Sequence, residues 1–364
     1  MKSEFYYLTS VPFEAARKVE ILPEGHQARN LHGHSFLARM ISHQPADWTE
    51  SQGNTSQQIR ELFNKTIAPL DYSFLNDVIK VPTDENLARW ARAQLDLPGI
   101  LVIGIQSATD QGVDLDSRDN AHTWRKFRFE AAHQLPNVPE GHQCGRMHGH
   151  GFEVIIHVNE ELNDADLGTD FDLIGQCWEP IQSRLNNSCL NDIEGLENPT
   201  SEMLAAWIWN RLKPILGSLS WVTVYETATA GCHYDGSRYR IWKEFGFESA
   251  IQLELASGDD IKKRLLGHSY ISRLHLTAPL DHVMGWTVDY GDVKELFTPT
   301  YKQLDHHYLN EIEGLEAADL ESILRWMEKR VSGVLPQLDR IDLYETPGCG
   351  AMLCWGEHGP ALPA

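Results

Sequence analysis

Apolar and polar residues alternate over three long stretches of this chain, each opened by one theme: Phe13-Glu14-Ala15-Ala16, Phe129-Glu130-Ala131-Ala132 and Phe247-Glu248-Ser249-Ala250. A period of two puts successive side chains on opposite faces, so each stretch starts as a β-strand. A Gly-His landmark follows, as His32-Gly33-His34-Ser35-Phe36, His148-Gly149-His150-Gly151-Phe152 and Leu266-Gly267-His268-Ser269-Tyr270, and each runs into a second alternating strand, such as 153–158. The period then becomes helical, over 59–70, 173–185 and 293–304, and again over 85–95, 201–212 and 320–331. Pro199-Thr200-Ser201 supplies capping chemistry ahead of the second helix in the middle stretch. Strands at 100–105, 220–225 and 340–344, a Gly-containing turn and a last short strand close each unit.

The order strand-strand-helix-helix-strand-strand thus returns at about 120 residues, a domain-sized period rather than that of a solenoid. It predicts an α+β architecture: three ββααββ copies, at 1–121, 122–241 and 242–364, each a four-stranded antiparallel sheet with both helices on one face. One copy alone leaves its sheet edges unpaired. Three copies laid edge to edge close into a pseudo-trimeric barrel with the helices outside, which explains their fusion.

Composition narrows the function classes. Among 364 residues, 31 Lys plus Arg against 52 Asp plus Glu give a formal charge of −21, opposed to a role in neutralising nucleic acid or anionic membrane. A 42% hydrophobic fraction with 11 tryptophans excludes a disordered chain, and no apolar run approaches the roughly 20 residues needed to span a bilayer. The first ten residues do not read as a signal peptide, so the cytoplasm is expected. Six cysteines, at 144, 177, 189, 232, 349 and 354, are too sparse for a disulfide framework and read as free thiols. Trp178, Trp207, Trp209 and Trp326 fall at helical spacing and read as core.

Candidate chemistry is concentrated in the middle copy, where His133, Cys144, His148 and His150 occur together. His148 and His150 are two apart on a strand and face one side, and Gly149 leaves room behind them. His133 on the paired strand adds a third imidazole, the donor set of a catalytic zinc site with an open fourth position. Cys144 has three readings: a fourth ligand, a small buried hydrophobe, or a base or nucleophile made acidic by Zn²⁺ and Arg146.

With these residues in place, the sequence resembles the 6-pyruvoyl-tetrahydropterin synthase and QueD family of tunnelling-fold enzymes, over nearly the whole chain and most densely at 127–236 and 287–350. The spacing Cys144-x-x-x-His148-x-His150 looks like the 6-carboxytetrahydropterin synthase branch. The resemblance implies that His133, His148 and His150 bind zinc and that Cys144 is the catalytic base. It also implies an Asp-His pair after the first helix, supplied across a subunit interface, and a glutamate at the end of the third strand that holds the pterin's guanidine-like edge. The middle copy lacks the pair, reading Asn186-Asn187, whereas the third has Asp305-His306 but Ile251, Lys262 and Leu266 at the cysteine and metal positions. The first copy has Arg17, Ala28 and Asp71-Tyr72. Complementary loss predicts one working site per chain, between the second and third copies, with His306 oriented by Asp305 as proton relay. Glu226 and Glu345 both stand at the glutamate position, with Gln106 there in the first copy. Arg146, Lys126 and Lys262 are candidates for phosphate contact.

The activity so implied is zinc-dependent conversion of 7,8-dihydroneopterin triphosphate to 6-carboxy-5,6,7,8-tetrahydropterin on a route to queuosine-type deazapurines. The assembly so implied is a homodimer of stacked rings, a pseudo-hexamer. Two other outcomes use the same residues: a pyruvoyl-type or sepiapterin-cleaving synthase, and a pterin-binding protein without turnover.

Overall fold

The computed structural model describes residues 2–44, 55–160, 168–253 and 265–362. The first copy contributes β1 (Glu4–Arg17), β2 (His32–Ser42), α1 (Thr55–Ile67), β3 (Ser73–Phe74), α2 (Asp84–Gln94), β4 (Ile100–Ala108) and β5 (Gln111–Leu115). The second contributes β6 (Ala121–His133), β7 (His148–Glu160), α3 (Phe171–Leu185), β8 (Ser188–Cys189), α4 (Ser201–Leu212), β9 (Leu219–Thr227) and β10 (Ala230–Tyr234). The third contributes β11 (Tyr239–Ile251), β12 (Leu266–Thr277), α5 (Tyr290–Leu304), β13 (His307–Tyr308), α6 (Leu320–Val331), β14 (Leu338–Thr346) and β15 (Cys349–Cys354).

Twelve of these strands form one closed antiparallel barrel with the helices outside, the α+β barrel expected from the repeat and the tunnelling fold that the resemblance implies. Three seams join the copies: β5 with β6, from Gln111↔Arg125 to Leu115↔Ala121; β10 with β11, from Ala230↔Lys243 to Tyr234↔Tyr239; and β15 with β1, from Gly350↔Leu8 to Cys354↔Glu4. Gly231 is required at its seam, because a Cβ there would meet the Val224 carbonyl oxygen at 2.2 Å and the Trp242 ring at 2.3 Å. The main core lies between sheet and helices, where Ile174, Trp178, Trp207 and Ile208 pack on Phe129, Phe152 and Val154 in the second copy. Trp178, Trp207 and Trp326 are buried as core, and Trp209 packs against the same cluster. Among the described residues no helix is long and apolar enough to cross a membrane.

One small motif recurs with a consequence for the chemistry. After each first helix a non-glycine residue adopts a left-handed backbone, Tyr72 at φ 50°, Asn187 at 57° and His306 at 59°. Its N–H donates to the carbonyl of Glu14, Glu130 or Glu248, each at 2.6 Å. The preceding side chain, Asp71, Asn186 or Asp305, accepts the N–H of that same glutamate at 2.9 to 3.0 Å. This clamp pins β3, β8 and β13 to the opening strands, where they pair in parallel.

The bore is lined by charge-paired and polar groups. Arg39 donates twice to Asp114, both at 2.9 Å, and Thr223 links His157 at 2.9 Å to His233 at 2.8 Å. Asp342 accepts from Arg340 at 2.6 and 2.8 Å and from His275 at 3.1 Å. The segment 355–362 folds back into this bore: Leu362 packs on the cluster of Trp124, Ile155, Tyr225 and Trp242, and its carbonyl accepts from Arg39 at 2.8 Å. Burial lowers His157 and His275 to about 3, so both are neutral in the fold. Between pH 6.5 and 3 the unfolded chain therefore binds protons that the folded one refuses, and stability falls as pH falls. Each histidine contributes a slope approaching about 1.4 kcal/mol per pH unit. Thermal melts from pH 7 to pH 4 should show a steady decline, and a flat profile would mean that water reaches both rings.

Candidate active site

The β6–β7 pairing sets His133 opposite His148 and Ala131 opposite His150, so three imidazoles converge at the end of one hairpin. Ring centroids lie 4.5 Å apart for His133–His148, 5.1 Å for His133–His150 and 5.0 Å for His148–His150. Backbone carbonyls orient two of them: His133 Nδ1 meets the Pro199 carbonyl at 3.0 Å and His148 Nδ1 that of Arg146 at 2.7 Å. Each ring therefore donates from Nδ1 and turns Nε2 inward as a lone-pair donor. The Nε2 atoms of His133 and His150 are buried without a hydrogen-bond partner. Burial lowers His133 to about 4 and lowers His150 as well, which keeps both rings unprotonated.

Glu226 completes the group, with one carboxylate oxygen 3.8 Å from His133 Nε2 and 3.7 Å from His150 Nε2. Burial, with Glu202 and Asp289 nearby, raises its carboxyl to about 7. Ligand atoms of His133, His148, His150 and Glu226 all fall within 4.8 Å of one another, a set that fits a divalent metal of the zinc type.

His148, His150 and Glu226 line a cavity of about 610 Å³ between the second and third copies, which Cys144 also lines, while His133 is fully buried. Burial, followed by the charges of Glu226 and Asp289, raises the Cys144 thiol. From the third copy the lining residues include Lys243, Trp286, Asp289 and Tyr290. Asp305, His306 and Glu345, expected at this junction, are not among the lining residues. Asp305 and His306 belong to the clamp on Glu248, where His306 Nδ1 meets Asp305 Oδ2 at 3.0 Å and the His306 side chain is 77% exposed. Arg146 is at the cavity, whereas Lys126 faces the bore, paired with Glu153 at 3.2 Å. Lys262 lies outside the described residues.

The first copy corrects one sequence alignment. Leu37 of β2 pairs with Gln106 as Glu153 of β7 pairs with Tyr225, so Ser107, not Gln106, stands where Glu226 does. There Arg17 replaces His133, donates to the Pro82 carbonyl at 3.0 Å and ion-pairs with Asp84 at 2.6 Å, and Ser107 donates to Asp84 at 2.6 Å. The first copy thus has an Arg17–Asp84 ion pair at the positions of His133 and Ser201, while His32 and His34 remain where the second copy has His148 and His150.

Two cross-copy contacts escaped the sequence reading. His142 Nδ1 accepts the Cys144 N–H at 3.2 Å, which leaves Nε2 to donate to Asp289, also at 3.2 Å. Glu202 accepts from Thr287 N–H at 2.8 Å and Thr287 Oγ1 at 3.1 Å. Both have echoes that could have revealed them: Gly25-His26-Gln27-Ala28 mirrors Gly141-His142-Gln143-Cys144, and Pro82-Thr83-Asp84-Glu85 mirrors Pro199-Thr200-Ser201-Glu202. His26 lies 3.7 Å from Asp170 and 3.4 Å from Asp172, and Glu85 accepts from Gly168 N–H at 3.1 Å.

A family model described as 6-pyruvoyl tetrahydropterin synthase matches residues 8–99, 122–237 and 240–354. A Synechocystis protein named 6-carboxy-5,6,7,8-tetrahydropterin synthase is 37% identical over 122 residues, covering 32% of this chain and 93% of that protein. Among solved structures, the Caenorhabditis elegans 6-pyruvoyl tetrahydropterin synthase is similar at 21% identity and a TM-score of 0.31, covering 32% of this chain and 96% of its own. The Plasmodium vivax 6-pyruvoyl tetrahydropterin synthase is similar at 16% identity and a TM-score of 0.26, with the same coverage of 32% and 96%.

Proposed function

The chain belongs to the 6-pyruvoyl tetrahydropterin synthase family, and from that premise we propose that it is a zinc-dependent lyase forming 6-carboxy-5,6,7,8-tetrahydropterin from 7,8-dihydroneopterin triphosphate in the cytoplasm. The observation that carries this reading is the cluster of three imidazoles, two with buried unpartnered Nε2 atoms, of which His148 and His150 line the cavity that Cys144 also lines. The Cys144-His148-His150 spacing and the Synechocystis relative's name favour the carboxy branch over the pyruvoyl one.

His133, His148 and His150 would hold the metal, with Glu226 in reach. Zinc bound there supplies Lewis-acid polarisation of the substrate's side-chain oxygens. Cys144 takes a proton from the activated carbon, and its raised thiol needs the positive charge that Arg146 and Lys243 bring to the same cavity. Glu226, inside the cavity where Glu345 is not, anchors the guanidine-like edge of the pterin. His306 presents an oriented Nε2 to solvent and reaches the cysteine of a second, stacked chain, so the working assembly is a homodimer.

Zinc-loaded protein incubated with 7,8-dihydroneopterin triphosphate should yield 6-carboxytetrahydropterin by mass spectrometry, and Cys144→Ala should lower the rate by about 10²- to 10⁴-fold. A pyruvoyl-bearing product would move the chain to the other branch. Tight pterin binding with no product would make it a binding protein.

A further inference from the structure

The cavity between the second and third copies is rich in carboxylates, with Glu202, Glu226 and Asp289 in its wall, yet two cations also line it, Arg146 and Lys243. Lys243 comes from β11 of the third copy, opposite Ala230 across the seam. It is half-buried, and among the described residues its one hydrogen bond is a long 3.3 Å contact to Thr229 Oγ1 and no carboxylate lies within ion-pair distance of it. Burial, followed by the charge of Lys294, lowers its pKa, and the more distant carboxylates of Glu226 and Glu244 offset this only in part.

The junction of the first and second copies offers a built-in comparison. Gln111↔Arg125 is the same register position as Ala230↔Lys243, so Arg125 is the counterpart of Lys243. Arg125 is committed: it donates to the Phe171 carbonyl at 2.7 Å and lies 3.6 Å from Asp172. The N-caps Asp170 and Asp289 align the two helices, which puts Gly291 where Asp172 stands. The junction with the histidine cluster and Cys144 therefore has glycine where the other junction has the aspartate that pairs with its cation. A half-buried cation that lines a cavity, with no carboxylate at ion-pair distance among the described residues, is a position that an anionic ligand completes.

We propose that Lys243, with Arg146 at the mouth, forms the anion-binding end of this cavity and holds the phosphate chain of the substrate. This rests on the pterin triphosphate reading and adds the residue by which the third copy recognises the phosphates. It also gives the fused partner copy a direct part in substrate binding.

The test is calorimetric titration of the zinc-loaded full chain with three probes: neopterin triphosphate, neopterin and inorganic tripolyphosphate. Lys243→Met should weaken neopterin triphosphate and tripolyphosphate by about tenfold or more, with neopterin changed less than about twofold. Lys243→Arg should retain most of the affinity, and Gly291→Asp, which restores the occupying carboxylate, should reproduce the Met variant. Equal loss for neopterin and its triphosphate would overturn the proposal, since Lys243 would then serve Glu226 alone. So would a wild type that ignores tripolyphosphate. Tripolyphosphate binding that depends on Lys243, without any pterin binding, would leave the anion site standing and reject the pterin reading.

Discussion

Mixing Cys144→Ala chains with His306→Ala chains should restore activity that neither variant has alone. The expectation follows from where the structure puts the two halves. Cys144 lines the cavity between the second and third copies, while His306 is clamped beside Glu248 and faces solvent. If a second ring stacked on the first brings His306 to the cysteine, each variant alone loses about 10²- to 10⁴-fold in rate. In a two-fold assembly the mixed dimer keeps one intact site, formed by the cysteine of one chain and the histidine of the other. With random exchange, half the dimers are mixed and half their sites work, so activity should return to about one quarter of wild type. The rate after co-refolding or co-expression measures it directly. A mixture as dead as its components would show that the two residues act within one chain or that one of them has no catalytic part.

Asp342→Ala should lower unfolding free energy by about 3–5 kcal/mol, the cost of removing one partner from a buried ion pair. Asp342 is fully buried, and it neutralises Arg340 through two hydrogen bonds while accepting from His275. Burial pushes its carboxyl up, but Arg340 and His275 together, by charge and hydrogen bonds, hold it far below the usual carboxylate range. Without it a buried guanidinium has no counter-charge in the bore. Replacing both residues, as Asp342→Leu with Arg340→Met, should recover most of the loss, since apolar groups of similar volume need no pairing. Urea midpoints compared at unchanged slope distinguish the two variants. A single-variant loss below about 1 kcal/mol would mean that the bore is hydrated enough to solvate arginine.

The three copies and their six helices are legible in the sequence because their landmarks are local: alternation, a Gly-His step and capping residues lie within a few positions of one another. The imidazole triad is legible for the same reason, since one hairpin carries all three rings. What escapes is whatever depends on register or on a neighbouring copy. Ser107 and Gln106 differ by one strand position, and only the pairing with Leu37 tells which faces the cavity. Asp289 and Lys243 belong to the third copy but line a cavity whose histidines belong to the second, and no spacing along the chain connects them. Asp305 and His306 show the same dependence: the dipeptide reads as chemistry, while its second use, as a backbone clamp repeated at that position in all three copies, emerges only from the fold. The bore-filling segment 355–362 has no pattern of its own to announce it.

The seam that pairs Glu4 to Leu8 with Gly350 to Cys354 closes the ring within one covalent chain. Ring closure is then unimolecular, governed by an effective concentration that does not change when the protein is diluted. A ring assembled from three separate subunits would open at low protein concentration, with its junction cavities. In the proposed homodimer only the stacking of one chain on another would obey mass action. Dilution thus separates two levels of assembly that a conventional oligomer would lose together: metal binding to His133, His148 and His150 should persist at concentrations where any step needing a second chain has ceased.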